Sequence, residues 1–324
     1  MKRNELLKIS LISVGLLLLS LGVLYSIGSQ DIHEKKLENQ ANVMPWGFPL
    51  KGTFNFDIKL EEKSFSYSLN KFYMRELPAK KSDQHFIMAG GSNTFGQNLS
   101  VQKTLSARLS KTNKFKNYDH YIVASPGWGP SNVLAYMQEG PFKEFVKEEQ
   151  GTFVFNFIRP HFHRVCGLDQ SLYWSKGVLP KYEFEKSELK YRGLYRNAPE
   201  FHSFLVRTGI YKILFNFVSK KSKVLDRKVD SKCIELTAEV FKEMKKSYLE
   251  TYKNGRFIVS LFPTMKEASK DGMKELFSLL RKNDIEVIDF KNDPSHYGKE
   301  YFFSDAHVNE LSNAKHVELL LKRL

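Results

Sequence analysis

The sequence predicts an α/β fold, in which a mainly parallel five-stranded sheet is covered by helices on both faces and preceded by a single N-terminal transmembrane helix. Three observations predict it. From residue 85 onward, apolar runs of strand length alternate with amphipathic helical stretches, the pattern of βαβ units. The runs are continuous in apolar residues, as in a sheet buried on both sides. Near the N-terminus, an uncharged segment is long enough to cross a bilayer.

The elements follow in order. Residues 9–28 carry no charge, and twenty residues at about 1.5 Å each span about 30 Å, the thickness of a bilayer core. Lys2, Arg3 and Lys8 precede the run and favour a cytoplasmic N-terminus, with the remaining chain outside the cytoplasm, periplasmic or extracellular. A cleaved signal peptide would have an apolar core of about 7–15 residues and an A-x-A-like site. Here the run is longer and no alanine precedes Ala41, so a retained anchor is the preferred reading. Residues 1–28 are thus read as a cytoplasmic tip and anchor, and the polar residues 29–47 as a stalk. Residues 48–84 are read as a hairpin-like extension, because GTFNFDIKL and KSFSYSLNKFYM alternate apolar and polar positions around Glu61-Glu62.

Residues 85–324 form the α/β body. HFIMAGG is its first strand, HYIVASPG its second, TFVFNFI its third, RFIVSLF its fourth and IEVIDF its fifth. Helices are expected in LSVQKTLSARLSK, over 130–148 with a break at Gly140-Pro141, in ELTAEVFKEMKKSYLETY, in MKEASKDGMKELFSLLRK and from Asn309 to the end, with Asn309 as N-cap. An insert at about 161–231 departs from the alternation. It carries Tyr173, Trp174, Tyr182, Tyr191 and Tyr195, either as a lid or sugar platform or as a packed subdomain.

Composition narrows the function. In 324 residues, 42% hydrophobic and 27% charged content excludes a disordered chain, and two cysteines exclude a disulfide scaffold and a four-cysteine zinc module. Lys+Arg 50 against Asp+Glu 36 leaves +14, which suits an acidic partner or an anionic surface. The basic residues are scattered in pairs such as Lys80-Lys81 and Lys245-Lys246, without a stripe interleaved with aromatics, so nucleic acid is not an expected partner. Cys166 and Cys233 would lie in a disulfide-permissive compartment, and whether they bond is open.

Ligands of an open parallel sheet bind outside the carboxyl ends of its strands. Four stretches lie there: GGSNTFG, SPGWGP, RPHFHR and FSDAHVN. A serine hydroxyl needs a base to take its proton, and the base needs a third group to fix its tautomer. Ser92, His307 and Asp305 supply these roles, with Asp289 and Asp293 as other candidates for the third. The Ser92 and Gly127 backbone N–H groups are candidate donors to a developing oxyanion. Trp128 is either a cleft wall or a core side chain. His161, His163 and Cys166 form an H-x-H-x-x-C cluster that lacks a fourth ligand, so no metal is expected. Gly127-Trp128-Gly129 is not a dinucleotide fingerprint, since position 132 is asparagine, and there is no G-x-S-x-G elbow or phosphate loop. No cofactor is expected.

GGSNTFG resembles the first block of the SGNH (GDSL-type) hydrolases. SPGWGPSN resembles their second block, and DAHVNELSNAKHVELL their last. The three occur in order and cover the body, residues 85–324. The resemblance implies a flavodoxin-like three-layer αβα sandwich and ester hydrolysis or acyl transfer without metal. It also implies a nucleophile at Ser92, a base at His307 and its orienter at Asp305, with Gly127 in the oxyanion hole and Asn93 among the binding residues. Two departures stand out. The family's aspartate before the serine is Gly91 here. The family's oxyanion asparagine has as its counterpart Asn156, inside a strand, so His161 at the strand end is the better donor, with Arg164 a further match to relatives that carry an aspartate–histidine pair. The expected protein is a membrane-anchored serine esterase or deacylase acting on an acylated small molecule or carbohydrate. Alternatives are an O-acyltransferase for a cell-surface polysaccharide and a non-catalytic scaffold on a decayed hydrolase fold.

Overall fold

The computed structural model describes residues 43–60, 63–168, 171–172, 175–197, 229–262, 272–290 and 298–324. No helix among the described residues is long and apolar enough to cross a membrane, and the expected anchor at 9–28 lies outside them. So do Tyr173, Trp174 and Asp293.

The alternating stretches near the N-terminus form an antiparallel hairpin of β1 (Asn55–Leu60) and β2 (Lys63–Ser68). The apolar runs of the body become β3 (Gln84–Gly90), β4 (Asp119–Ala124), β5 (Gln150–Phe157), β8 (Arg256–Leu261) and β9 (Glu286–Ile288). Between them, β6 (Pro180–Glu185) and β7 (Glu188–Leu194) form a second antiparallel hairpin. The five body strands make one parallel sheet in the order β4-β3-β5-β8-β9. That is the 2-1-3-4-5 order of a flavodoxin-like sheet, and the winding reverses between β3 and β5.

Described helices are α1 (Ser92–Phe95), α2 (Leu105–Leu109), α3 (Pro130–Glu139), α4 (Phe142–Phe145), α5 (Pro160–Val165), α6 (Ser231–Thr251), α7 (Met273–Lys282) and α8 (Glu310–Leu321). Successive strand residues point to opposite faces. Phe86, Met88, Val154 and Ile258 therefore meet Leu105 and Leu109 of α2 and Val317 and Leu320 of α8. Ile87, Ala89, Phe153, Phe155 and Val259 meet α3, α6 and α7 through Val133, Phe241 and Leu276. Three layers result. Helix boundaries follow local chemistry. Asp230 caps α6 by accepting from Cys233 N–H at 2.8 Å, and Asn309 caps α8 by accepting from Leu311 and Ser312 N–H at 3.0 and 3.1 Å. Gly140 ends α3 at the expected break.

The structure departs from expectation in three places. The helix expected over LSVQKTLSARLSK is only Leu105–Leu109, after a 3-10 turn at Val101–Lys103. The fifth strand is only Glu286–Ile288, an edge strand with β8 as its one neighbour in the sheet. The hairpin β6–β7 turns through Lys186 and Ser187, both at positive φ (49° and 66°). Such a turn ordinarily carries asparagine or glycine, so this sequence gave no signal for it. In the described part of the insert, tyrosines tie it to α3, to the stretch before residue 48 and to the end of α5. Tyr182 is buried and donates to Gln138 Oε1, Tyr191 donates to Pro45 O and Tyr195 to Val165 O.

Cys166 and Cys233 are joined in a disulfide across 67 residues of sequence. It ties the residue after α5 to the first turn of α6. Closing a loop of that length removes about 4 kcal/mol of chain entropy from the unfolded state. Replacing both cysteines by serine is expected to lower the unfolding free energy by about that amount. Urea titration reads this directly, and an unchanged midpoint contradicts it.

Candidate active site

The site starts from the turn after β3. Gly90 has φ 154°, and a Cβ there would collide with Thr94 Oγ1, so the sharp exit from the strand requires glycine. Ser92 then opens the single turn α1, closed by Phe95 N–H to Gly91 O at 2.9 Å and by Gly96 in the left-handed region. Arg75, from the segment after the first hairpin, donates to the carbonyls of Phe95, Gly96 and Leu99 at 2.9, 3.0 and 3.0 Å. These bonds satisfy carbonyls at and beyond the end of the turn. Burial lowers the guanidinium to about 10, and it stacks over the rings of Tyr67 and Phe95. The serine is thereby held on a braced turn at the carboxyl end of β3, beside the point where the winding reverses.

The last loop brings the base. Ala306 adopts φ 69°, and Phe303 N–H bonds His307 O at 2.8 Å, folding Asp305 back against the histidine two residues later. His307 Nδ1 lies 2.8 Å from Asp305 Oδ2, and His307 Nε2 lies 2.8 Å from Ser92 Oγ. Because the carboxylate only accepts, Nδ1 carries the proton and Nε2 is free to receive one from the serine. Asp305 Oδ1 accepts from His307 N–H at 3.1 Å, and Oδ2 also accepts from Asn98 Nδ2 at 2.8 Å. Burial pushes the Asp305 carboxyl up, but the Asn98 amide and the His307 contacts outweigh it and hold the group below its ordinary value. The aspartate facing His307 is thus Asp305, while Asp289 lies exposed at the end of β9.

The opposite side of Ser92 is built by the loops after β4 and β5. His161 is buried in α5, and its Nδ1 accepts from Ile158 N–H at 3.2 Å, which places the ring proton on Nε2. Burial, then the nearby Arg164, keeps this ring neutral, well below the ordinary imidazole value. Its Nε2 has no partner among the described residues and lies 3.2 Å from where a Gly91 Cβ would stand. A buried donor without an acceptor beside the serine's own backbone suits an atom that arrives with substrate.

Gly91 follows from the same packing. Its Cβ would stand 2.6 Å from Trp128 O and 2.7 Å from Arg164 Nη1, so an aspartate has no room there while Arg164 donates to the Trp128 carbonyl. Burial lowers Arg164 to about 10. Gly127, with φ 84°, sits in the turn closed by Trp128 N–H to Ser125 O at the end of β4. Trp128 itself is buried, packs on Tyr136 and donates to Phe48 O, so it is a core side chain.

Two residues have other contacts than a substrate. Asn156 donates to Thr94 Oγ1 at 3.1 Å and braces the α1 turn. Asn93, expected among the binding residues, accepts from Val308 N–H at 3.3 Å and tethers the His307 loop to the serine turn. Cys166 is oxidised, which removes the thiolate from the H-x-H-x-x-C cluster, and no group of three metal-ligating side chains occurs among the described residues. Sequence reasoning missed Asn98, Tyr67 and Arg75. Their roles come from contacts between elements that no local spacing encodes.

No family model and no curated protein matches the chain. Similar solved structures include a member of the lipolytic G-D-S-L family from Veillonella parvula, with 11% identity over 74% of this chain and 98% of that one and a TM-score of 0.39. A carbohydrate esterase family 2 enzyme with a carbohydrate-binding domain from Corynascus thermopiles has 13% identity over 80% and 69%, at 0.39. An acetyl xylan esterase from the rumen bacterium Butyrivibrio proteoclasticus has 10% identity over 81% and 66%, at 0.42. Identities and scores this low leave the chemistry of the site to its own geometry.

Proposed function

We propose that this protein is an SGNH-type serine esterase or deacylase, anchored by residues 9–28 and acting outside the cytoplasm. The observation that carries the reading is the unbroken line from Asp305 through His307 to Ser92 Oγ, with both bonds at 2.8 Å. Ser92 Oγ attacks the acyl carbon as His307 Nε2 takes its proton. The carbonyl oxygen gains negative charge facing the Ser92 and Gly127 N–H groups and His161 Nε2–H. His307 then gives the proton to the departing alcohol, leaving an acyl group on Ser92. Water, activated by the same imidazole, releases the acid and restores the serine.

Asp305 and His307 side chains are 26% and 22% exposed, so the site is open to a substrate arriving from solvent, and an acylated small molecule or carbohydrate is the substrate proposed. A sugar hydroxyl replacing water in the second step would make the same residues an O-acyltransferase. The Cys166–Cys233 disulfide supports an oxidising compartment, in keeping with export.

A fluorophosphonate probe tests the reading, since it phosphonylates an activated serine. The wild-type protein is expected to label and Ser92→Ala to stay unlabelled. Equal labelling of both removes Ser92 from the mechanism, and a folded wild type that never labels favours a binding scaffold.

A further inference from the structure

We propose that Asn98 is a positioning residue that holds the Asp305 carboxylate in register with His307, and that Tyr67 of the first hairpin fixes Asn98 in turn. This inference rests on the triad reading above and deepens it. It makes the N-terminal hairpin a working part of the site.

Asp305 and His307 are two residues apart on one partly exposed loop. Within that loop the carboxylate is held only by the histidine's own N–H and ring. Both bonds move with the loop, so they orient acid and base to each other without orienting either toward Ser92. A fixed reference must come from another element. Asn93 ties down the loop backbone at Val308, and Asn98 ties down the carboxylate itself, with Nδ2 2.8 Å from Asp305 Oδ2. A carboxylate only accepts, so the amide nitrogen must face it, and a hydrogen bond to an ionised group is stronger than one between neutral groups. Asn98 is 1% exposed and lies six residues after Ser92, just past the α1 turn that Arg75 caps. Acid and nucleophile therefore share one rigid support.

Asn98 is itself anchored from outside the sheet. Its N–H donates to Tyr67 Oη at 2.5 Å, and Arg75 stacks on the Tyr67 ring. The backbone at 98 has φ 66°, a conformation that asparagine tolerates and glycine prefers. The Asn98 Oδ1 atom is buried with no partner among the described residues. If position 98 served only the turn, glycine would fit the backbone better and leave no unpaired carbonyl. The amide is explained by its bond to Asp305.

This gives a selective variant. Asn98→Gly keeps the left-handed backbone and the N–H that meets Tyr67, and loses only the amide on Asp305. With an aryl acetate ester, kcat is expected to fall about 10–100-fold, the usual cost of losing a group that orients a first-contact residue, while KM stays near the wild-type value. Tyr67→Phe, which loses the acceptor for the Asn98 N–H, is expected to lower kcat in the same way and by less. A role confined to the turn predicts wild-type kcat in Asn98→Gly, with equal or greater resistance to urea. Wild-type kcat and KM in Asn98→Gly, with Ser92→Ala inactive, overturns this inference and leaves the triad standing. Activity retained in Ser92→Ala overturns the triad reading itself. Should Asn98→Gly fail to fold, Tyr67→Phe, which leaves every backbone dihedral in place, carries the decision: wild-type kcat there overturns the proposal.

Discussion

Replacing His307 with glutamine is expected to slow attack of Ser92 on an aryl ester by about 10,000-fold or more, a loss of over 5 kcal/mol of transition-state stabilisation. The size follows from the chemistry. A serine hydroxyl is almost entirely protonated near neutral pH, and the imidazole 2.8 Å from its oxygen is the group placed to remove that proton during attack. Glutamine can still hydrogen-bond Ser92 Oγ but has no basic nitrogen. Backbone donors and His161 remain in that variant, so residual catalysis above the solvent reaction is expected from charge stabilisation alone. The comparison is of kcat/KM for the two folded proteins on one substrate. A loss below about 10-fold would mean that another group takes the proton.

Acid is expected to unfold the protein through its buried neutral histidines, His161 beside Ser92 and two others at the far end of the sheet. His85 and His120 are the second residues of β3 and β4, at the amino end of the sheet, are 0% and 6% exposed, and burial lowers each to about 4. His85 donates from Nδ1 to Glu148 O and accepts from Tyr248 Oη, while His120 Nε2 donates to Phe115 O. Both rings are neutral in the fold. In the unfolded chain they take up protons near 6.5, so below that pH the unfolded state binds more protons and stability falls. The loss accumulates from about pH 6.5 down to about pH 4 and amounts to about 3 kcal/mol for each ring. Two such losses are comparable to the whole stability of many domains. Urea midpoints at pH 7 and pH 4.5 check the sign and the size. Equal midpoints would contradict the account, and His120→Gln should flatten part of the slope.

The sheet was legible because strands buried on both faces must be apolar at nearly every position, as FIMA and FVFNF are. Chain order and the rule for strand ends then selected the loops holding Ser92, Gly127, His161 and His307. Asp305-x-His307 was readable because acid and base lie on one tight turn. His161 was readable because Asn156, five residues earlier, falls inside β5. The rest depends on contacts between distant parts of the chain. The Asn98–Asp305 bond spans 207 residues and the Tyr67–Asn98 bond 31. Asn93 has the same polar side chain whether it meets a substrate or, as here, the backbone of Val308. The disulfide stayed open because two cysteines do not specify their distance. The β6–β7 hairpin was hidden by a turn built from lysine and serine.

Rapid-quench mass spectrometry during turnover of an aryl acetate tests the central claim most directly. The account predicts a burst of released phenol matched by one acetyl group on the peptide containing Ser92, with that adduct lost in Ser92→Ala. Turnover with no burst and no acetyl group on Ser92 at any quench time, or an acetyl group accumulating on a different side chain at the turnover rate, would contradict it.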